Sequence, residues 1–354
     1  MNKILAPYEK GHLKLKNHLV MAPMTRSRAI NNLPNGLMVE YYAQRSGAGL
    51  IITEGTAPAQ EALGYSRIPG IFSDEQTAAW KPVADAVHAK GSRIFMQLMH
   101  TGRIGHPANL PAGVSLVGAS DIKAAGEIWT DSEGMQAYPV PKALTTAGIE
   151  DVIAAHVKAA QNAIKAGFDG VELHGANGYL IEQFLNPHVN NRTDAWGGSV
   201  KNRAGLAISL AREIAAAIGP DKVGIRFSPF STLGDLQPYA EEEVHETYAY
   251  LASALNALNI AYIHIGVSAV IPQKTFDAIR SAFKGTIILC NGLTPDTAVA
   301  ALDAGFADLV AFGRAFLANP DLDKRIAASE KLNDPDYTTL YTPGPNGYTD
   351  YPAL

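Results

Sequence analysis

The run Ala166-Gly167-Phe168-Asp169-Gly170-Val171-Glu172-Leu173-His174-Gly175-Ala176-Asn177-Gly178-Tyr179 contains one complete structural unit in miniature. Ile149–Ala166 has helical periodicity and stops at Gly167, a residue suited to a helix C-terminus. Val171–Leu173 reads as a short buried strand. His174, Asn177 and Tyr179 follow at once, where the strand gives way to a turn. Two neutral hydrogen-bonding side chains beside a phenol can hold an electron-withdrawing oxygen and deliver a proton next to it. Glu172, inside the strand and short of its end, reads as structural.

The same unit recurs along the chain without repeated sequence. Seven more short apolar runs read as strands: His18–Met21, Leu50–Thr53, Ile94–Leu98, Val223–Phe227, Tyr262–Ile265, Ile287–Leu289 and Val310–Phe312. They are rich in Val, Ile and Leu without strict alternation, as parallel strands covered on both faces require. Helices are predicted over Asp74–Lys90 with Asp74 as N-cap, Ile149–Ala166, Lys201–Ile218, Ala240–Leu258 and Asp296–Ala304. Eight strand–helix units in 354 residues point to an α/β fold, a (β/α)8 TIM barrel in a single domain over 1–354. An open doubly wound sheet is the competing architecture. Met1–Asn17 forms an N-terminal cap outside the repeat. Thr101–Leu144 is a long excursion after strand three, rich in Gly, Pro, Ser and Asp, expected over the barrel mouth as a lid or wall. The tail Asn333–Leu354 is dense in Tyr, Thr, Pro and Gly and should dock rather than form a helix.

Composition narrows the classes. Hydrophobic residues make up 47% and charged residues 18%, with Lys+Arg 29 against Asp+Glu 34 and a net charge of −5. No block of like charge suggests a nucleic-acid or membrane surface. No signal-type apolar run follows Met1-Asn2-Lys3, so the expectation is a soluble cytoplasmic protein, monomeric or homodimeric, acting on a small molecule. Cys290 is the only cysteine, which excludes an internal disulfide and Cys-ligated zinc or iron–sulfur sites.

In such a barrel, chemistry belongs at the C-terminal strand ends. Polar or glycine residues stand at every one: Pro23-Met24-Thr25-Arg26, Glu54-Gly55-Thr56, Gln97 with His100, His174 to Tyr179, Arg226-Phe227-Ser228, His264, Asn291-Gly292 and Gly313-Arg314. Asn291, Gly292, Gly313 and Arg314 lie on strands seven and eight, the usual phosphate corner, and offer exposed N–H groups and a forked cation; a turn and a surface arginine are the plainer reading. Arg226 should face an anion or an electron-rich ring. Gln97 could meet a heterocycle edge through both amide groups or be a satisfied core amide. Thr25 could bond a ring carbonyl or serve its turn. Together they describe a flat, hydrogen-bonding, phosphorylated cofactor, which FMN fits. Pyridoxal phosphate lacks a strand-end lysine. His-x-His and acidic clusters are missing at the mouth, and a metal shared by His100, His174 and His264 has no evident carboxylate.

At this point the motifs carry a resemblance. Met21-Ala22-Pro23-Met24-Thr25-Arg26, Gln97-Leu98-Met99-His100-Thr101-Gly102-Arg103, His174 to Leu180 running to Gln183-Phe184-Leu185, Asn191-Arg192-Thr193-Asp194-Ala195-Trp196-Gly197-Gly198-Ser199, Ala311-Phe312-Gly313-Arg314 and Gly347-Tyr348-Thr349-Asp350-Tyr351-Pro352 resemble the Old Yellow Enzyme family of FMN-dependent ene-reductases over essentially the full length. The resemblance implies non-covalent FMN, reduced by NADPH or NADH. It implies that Pro23, Met24, Thr25, Gly55, Gln97 and Arg226 line the flavin ring and that Asn291, Gly292, Gly313 and Arg314 hold its phosphate. It implies that His174 and Asn177 bind the activating oxygen of an α,β-unsaturated carbonyl, maleimide or nitroalkene, that Tyr179 is the proton donor, and that Tyr65 and Tyr341 wall the cavity. Nitrate-ester or nitroaromatic reduction is the alternative, and a non-catalytic flavin-binding protein a third. Met99 stands where a bulky Trp is common in the family and predicts a roomier pocket. Arg192 and Asp194 are expected to pair and hold their loop.

Overall fold

A computed structural model describes residues 3–266, 271–290 and 292–354. Its centre is a closed barrel of eight parallel strands. In chain order these are β1 Leu19–Met21, β2 Leu50–Ile52, β3 Arg93–Leu98, β4 Gly170–Gly175, β5 Val223–Phe227, β6 Tyr262–Gly266, β7 Thr286–Cys290 and β8 Leu309–Phe312. Each pairs with its neighbours in sequence, and β8 closes onto β1. All eight expected strands are present, and the open-sheet alternative falls.

The barrel has two apolar layers. Its interior packs Val20, Ile52, Phe95, Tyr262, Ile288 and Leu309 against Tyr8, Leu13 and Leu15 of an N-terminal hairpin, Tyr8–Lys10 with Leu13–Leu15. That hairpin plugs the bottom: the Tyr8 hydroxyl lies 2.8 Å from Thr286 Oγ1 and Lys10 donates to the Gly285 carbonyl at 3.0 Å. The outer layer joins the strands to a ring of helices through residues such as Ile51, Trp80, Val171 and Leu210.

The helices are α1 Gly36–Gln44, α2 Asp74–His88, α3 Thr146–Lys165, α4 Gly205–Ile218, α5 Glu241–Ala257, α6 Gln273–Ala282 and α7 Pro295–Asp303. Several boundaries differ from expectation. Ser73, not Asp74, caps α2, in a reciprocal box with Gln76. α3 begins earlier because the Thr145 hydroxyl accepts from the Gly148 N–H. The expected Lys201–Ile218 helix is two pieces, Val200–Arg203 and α4, meeting at Ala204. α1 and α6 were not foreseen. After β8 the chain makes only Arg314–Ala318 and Leu322–Ala328. Among the described residues no helix is long and apolar enough to cross a membrane.

Residues 101–144 hold a parallel pair, Val117–Gly118 with Lys142–Ala143, and an antiparallel hairpin, Glu127–Thr130 with Gly134–Ala137. Arg192 pairs with Asp194 and also donates to the Ala119 carbonyl at 3.0 Å, tying this excursion down. The tail makes a short 3-10 turn, Tyr337–Thr339, and a further turn over residues 346–349, with no α-helix among the described residues. Arg28 donates to the carbonyls of Leu340, Thr339 and Asn346 at 2.7–2.9 Å. Tyr348 is fully buried and stacks on Tyr41 at 4.1 Å.

Candidate active site

Strand register places the polar residues. His174 pairs with Arg226, and Arg226 with His264, so the three occupy one level at the mouth. One level deeper, Glu172 pairs with Gln97. Glu172 is fully buried; it accepts from Gln97 Nε2 at 2.8 Å and faces His264 Nδ1 at 2.9 Å. Burial pulls the His264 pKa down, but the Glu172 charge together with hydrogen bonds to Cys290 and Glu172 outweighs it and leaves it raised. Glu172 is thus structural, as expected. Gln97 gives one N–H of its amide to Glu172, which leaves its second N–H and its carbonyl for a ligand.

The Arg226 guanidinium lies against Gly266, where a Cβ would approach its Nη2 to 2.6 Å. Its Nη2 is 4.0 Å from Cys290 Sγ, while its Nε is buried without a partner among the described residues. His174 is 5% exposed, and its Nδ1 is likewise without a partner. Burial first, then Arg226, hold its pKa well below the usual imidazole value, so the ring is neutral.

After β4 the chain turns sharply. Asn177 has φ 59° and Gly178 φ 81°. A Cβ at Gly178 would lie 2.2 Å from the Leu233 carbonyl oxygen, so only glycine fits. The turn delivers Tyr179 edge-on to His174, with ring centroids 4.8 Å apart. The Tyr179 hydroxyl donates to the Tyr65 hydroxyl at 3.1 Å. Burial pushes the Tyr179 pKa up to about 12, and that of Tyr65 rises as well.

Tyr65, Tyr179 and Tyr341 line one cleft with Thr25, Arg67 and Trp129. Trp129 belongs to the excursion hairpin and was not foreseen; nothing local distinguishes it from a surface tryptophan. Arg67 donates to the Ser27 and Tyr341 carbonyls at 3.0 and 2.8 Å and pairs with Asp131, joining three walls of the cleft. Met99 does not face this space. It is 1% exposed, packed behind Tyr65 and Tyr179 and against Gly55, where a Cβ would meet its sulfur at 2.4 Å. The side chain backs the wall formed by Tyr65 and Tyr179.

Pro23, Met24 and Thr25 are half-buried on the loop after β1. Met24 reaches the loop after β8, 3.6 Å from where a Gly313 Cβ would stand. Gly292 has φ 72°, and its Cβ position is 4.0 Å from Arg314 Nη2, so the ends of β7 and β8 converge. Asn291 lies outside the described residues. The other histidines are engaged elsewhere: His100 accepts from the Gly102 N–H at 3.1 Å and stacks on His156.

Comparison with known proteins agrees with this geometry. The NADH:flavin oxidoreductase / NADH oxidase family matches residues 3–333. 12-Oxophytodienoate reductase 7 of Oryza sativa is 38% identical, covering 99% of this chain and 94% of the relative. Among solved structures, morphinone reductase superposes with TM-score 0.94 at 41% identity, covering 99% of this chain and 96% of that one. The old yellow enzyme homologue from Zymomonas mobilis gives 0.94 at 39%, covering 99% of both chains. This chain belongs to the Old Yellow Enzyme family. It is an NAD(P)H-dependent flavin oxidoreductase, and its family implies FMN as the flavin. Chanoclavine-I aldehyde reductase of Penicillium roqueforti, 41% identical over 99% of this chain and 96% of the relative, shows that Old Yellow Enzyme relatives differ in substrate. A morphinone reductase has been solved with tetrahydroNAD, at 42% identity and TM-score 0.95, covering 99% of this chain and 97% of that one.

Proposed function

We propose that this Old Yellow Enzyme reduces the activated C=C bond of α,β-unsaturated carbonyls, maleimides or nitroalkenes. One observation carries the reading: a neutral His174 with a free ring nitrogen, level with Arg226, is followed by Asn177 in the turn and a protonated Tyr179 beside its ring. The site also fits FMN. Arg226 Nε is a buried donor without a partner, suited to an electron-rich ring edge. Gln97 has a carbonyl to offer a ring N–H. Thr25, Pro23, Met24 and Gly55 stand around the same space. Gly292, Gly313 and Arg314 bring backbone N–H groups and a forked cation to one corner, where Asn291 would join them.

Bound FMN, once reduced by a nicotinamide, supplies the hydride taken by the β-carbon. The chain's residues do the rest. His174 and Asn177 hold the activating oxygen and stabilise the negative charge that grows there, an effect of about 3 kcal/mol per donor. Because His174 is neutral, it donates a hydrogen bond without giving up its proton. Tyr179 stays protonated at neutral pH and protonates the α-carbon. As it does so, the hydrogen bond between the two tyrosines reverses: the Tyr65 hydroxyl turns to donate to the Tyr179 oxygen, 3.1 Å away, and stabilises its charge. Tyr65 and Tyr341, with Trp129, give the substrate an apolar wall.

The test is the His174→Ala/Asn177→Ala double variant in its reduced form. Its reoxidation by 2-cyclohexenone should slow by about a hundredfold or more, while reoxidation by dioxygen is kept. A double variant that reacts with the enone at the native rate refutes the reading.

A further inference from the structure

Glu182 is a buried carboxyl that the chemistry above leaves unused. It lies in the short helix Leu180–Leu185, only 4% exposed. It accepts from the Gly178 N–H at 2.8 Å. It also accepts from the Ser228 hydroxyl at 2.8 and 3.0 Å, and from the Tyr248 hydroxyl at 3.3 Å. Ser228 in turn accepts from the Asn177 N–H at 2.8 Å. The two consecutive N–H groups of the left-handed turn are therefore held by Ser228 and Glu182 together. From the other side, Gln183 Nε2 donates to the Gly178 carbonyl at 2.8 Å.

We infer that Glu182 is a positioning residue, a clamp that fixes the turn between His174 and Tyr179 to the end of β5 and so aims Asn177 and Tyr179 at the substrate. The physical case is direct. Left-handed backbone at Asn177 costs energy and persists only where its surroundings determine it. The clamp bridges two strand ends, because Ser228 follows Arg226 by two residues, just past the end of β5. It thus couples the substrate-holding turn to the strand that carries the proposed flavin contact. Burial pushes the Glu182 pKa up to about 8, so at neutral pH the group acts mainly as an uncharged hydrogen-bonding partner. A glutamine can imitate that role and a leucine cannot.

The inference rests on the proposed role of the His174–Tyr179 turn, and the experiment separates the two. Reduced wild-type enzyme that is not reoxidised by 2-cyclohexenone defeats the proposed function itself. With wild type active, Glu182→Leu and Ser228→Ala should each lower the limiting rate of reoxidation by the enone about tenfold. Reoxidation by dioxygen, which needs no donor pair, should stay unchanged. Glu182→Gln should stay within about twofold of wild type, because it restores a partner to both Gly178 and Ser228. Ser228→Ala removes one small hydroxyl and carries the test if the leucine variant does not fold. Native enone rates in the leucine and alanine variants overturn the inference. So does an equal loss toward enone and dioxygen, or a glutamine variant as slow as the leucine one.

Discussion

At the residue scale, the proposed proton delivery turns on the tyrosine pair. Tyr179→Phe should lower the rate of enone turnover by at least about tenfold and leave flavin reduction by NAD(P)H nearly unchanged; the opposite pattern removes its acid role. Tyr65→Phe keeps the Tyr179 proton but loses the hydroxyl that steadies the oxygen left behind. A slowing of about fivefold in enone reduction is expected, as one hydrogen bond to a charge is lost, and an unchanged rate shows that Tyr65 only fills space. Met99→Trp should lower stability. A ring at that buried position drives into Gly55 and the packing behind Tyr65, with a cost of about 2 kcal/mol. Thermal denaturation measures it, and a variant as stable as wild type contradicts the tight packing. His174 and Arg226 stood out in the sequence because each stands at a strand end, and Tyr179 because it follows within the next turn. Glu182 and Ser228 were not, because their meaning arises only when the turn after β4 meets the end of β5.

At the scale of elements, the strands were easier to read than the helices. Val171–Leu173 and Ile287–Leu289 are apolar runs covered on both faces, and no other element suits them. Gly36–Gln44 begins at a glycine and buries Met38, Tyr41 and Tyr42, so its pattern gives little warning of a helix. At Asp74 two adjacent residues both suited the N-cap, and the reach of Gln76 back to the Ser73 N–H decided between them. The tail is the element whose docking matters most for the cleft, since it carries Tyr341. Arg28 is its main fastener. Arg28→Ala leaves several buried carbonyls without a donor and should cost about 3 kcal/mol. A lower melting temperature and new protease cleavage beyond Asn333 are the expected readouts. A tail that stays protected with no loss of stability contradicts the fastening.

At the scale of the whole molecule, the interior carboxyls set a pH dependence. Burial raises Glu54 from an ordinary 4.5 to about 7 and Glu182 to about 8. The unfolded chain releases these protons near 4.5, whereas the native chain keeps them until those higher values. Between the two, the folded state binds more protons, so stability falls as pH rises. The depressed carboxyls Asp194 and Asp321 act in the opposite sense below this window, and the buried neutral histidines His100, His156 and His174 oppose it up to their ordinary value of 6.5. The melting temperature should therefore fall from about pH 6.5 to about pH 8, and Glu182→Gln should flatten part of the fall. A melting temperature that climbs through this range contradicts the assignment.

The barrel, the turn after β4 and the phosphate corner serve one central claim: this Old Yellow Enzyme passes electrons from a nicotinamide to an activated alkene. Anaerobic stopped-flow absorbance tests it most directly. The purified protein should be yellow, bleach on mixing with NAD(P)H, and regain its colour on mixing with 2-cyclohexenone as the saturated ketone forms. A colourless protein that takes up no FMN, or a bleached one whose colour the enone does not restore, would contradict the account.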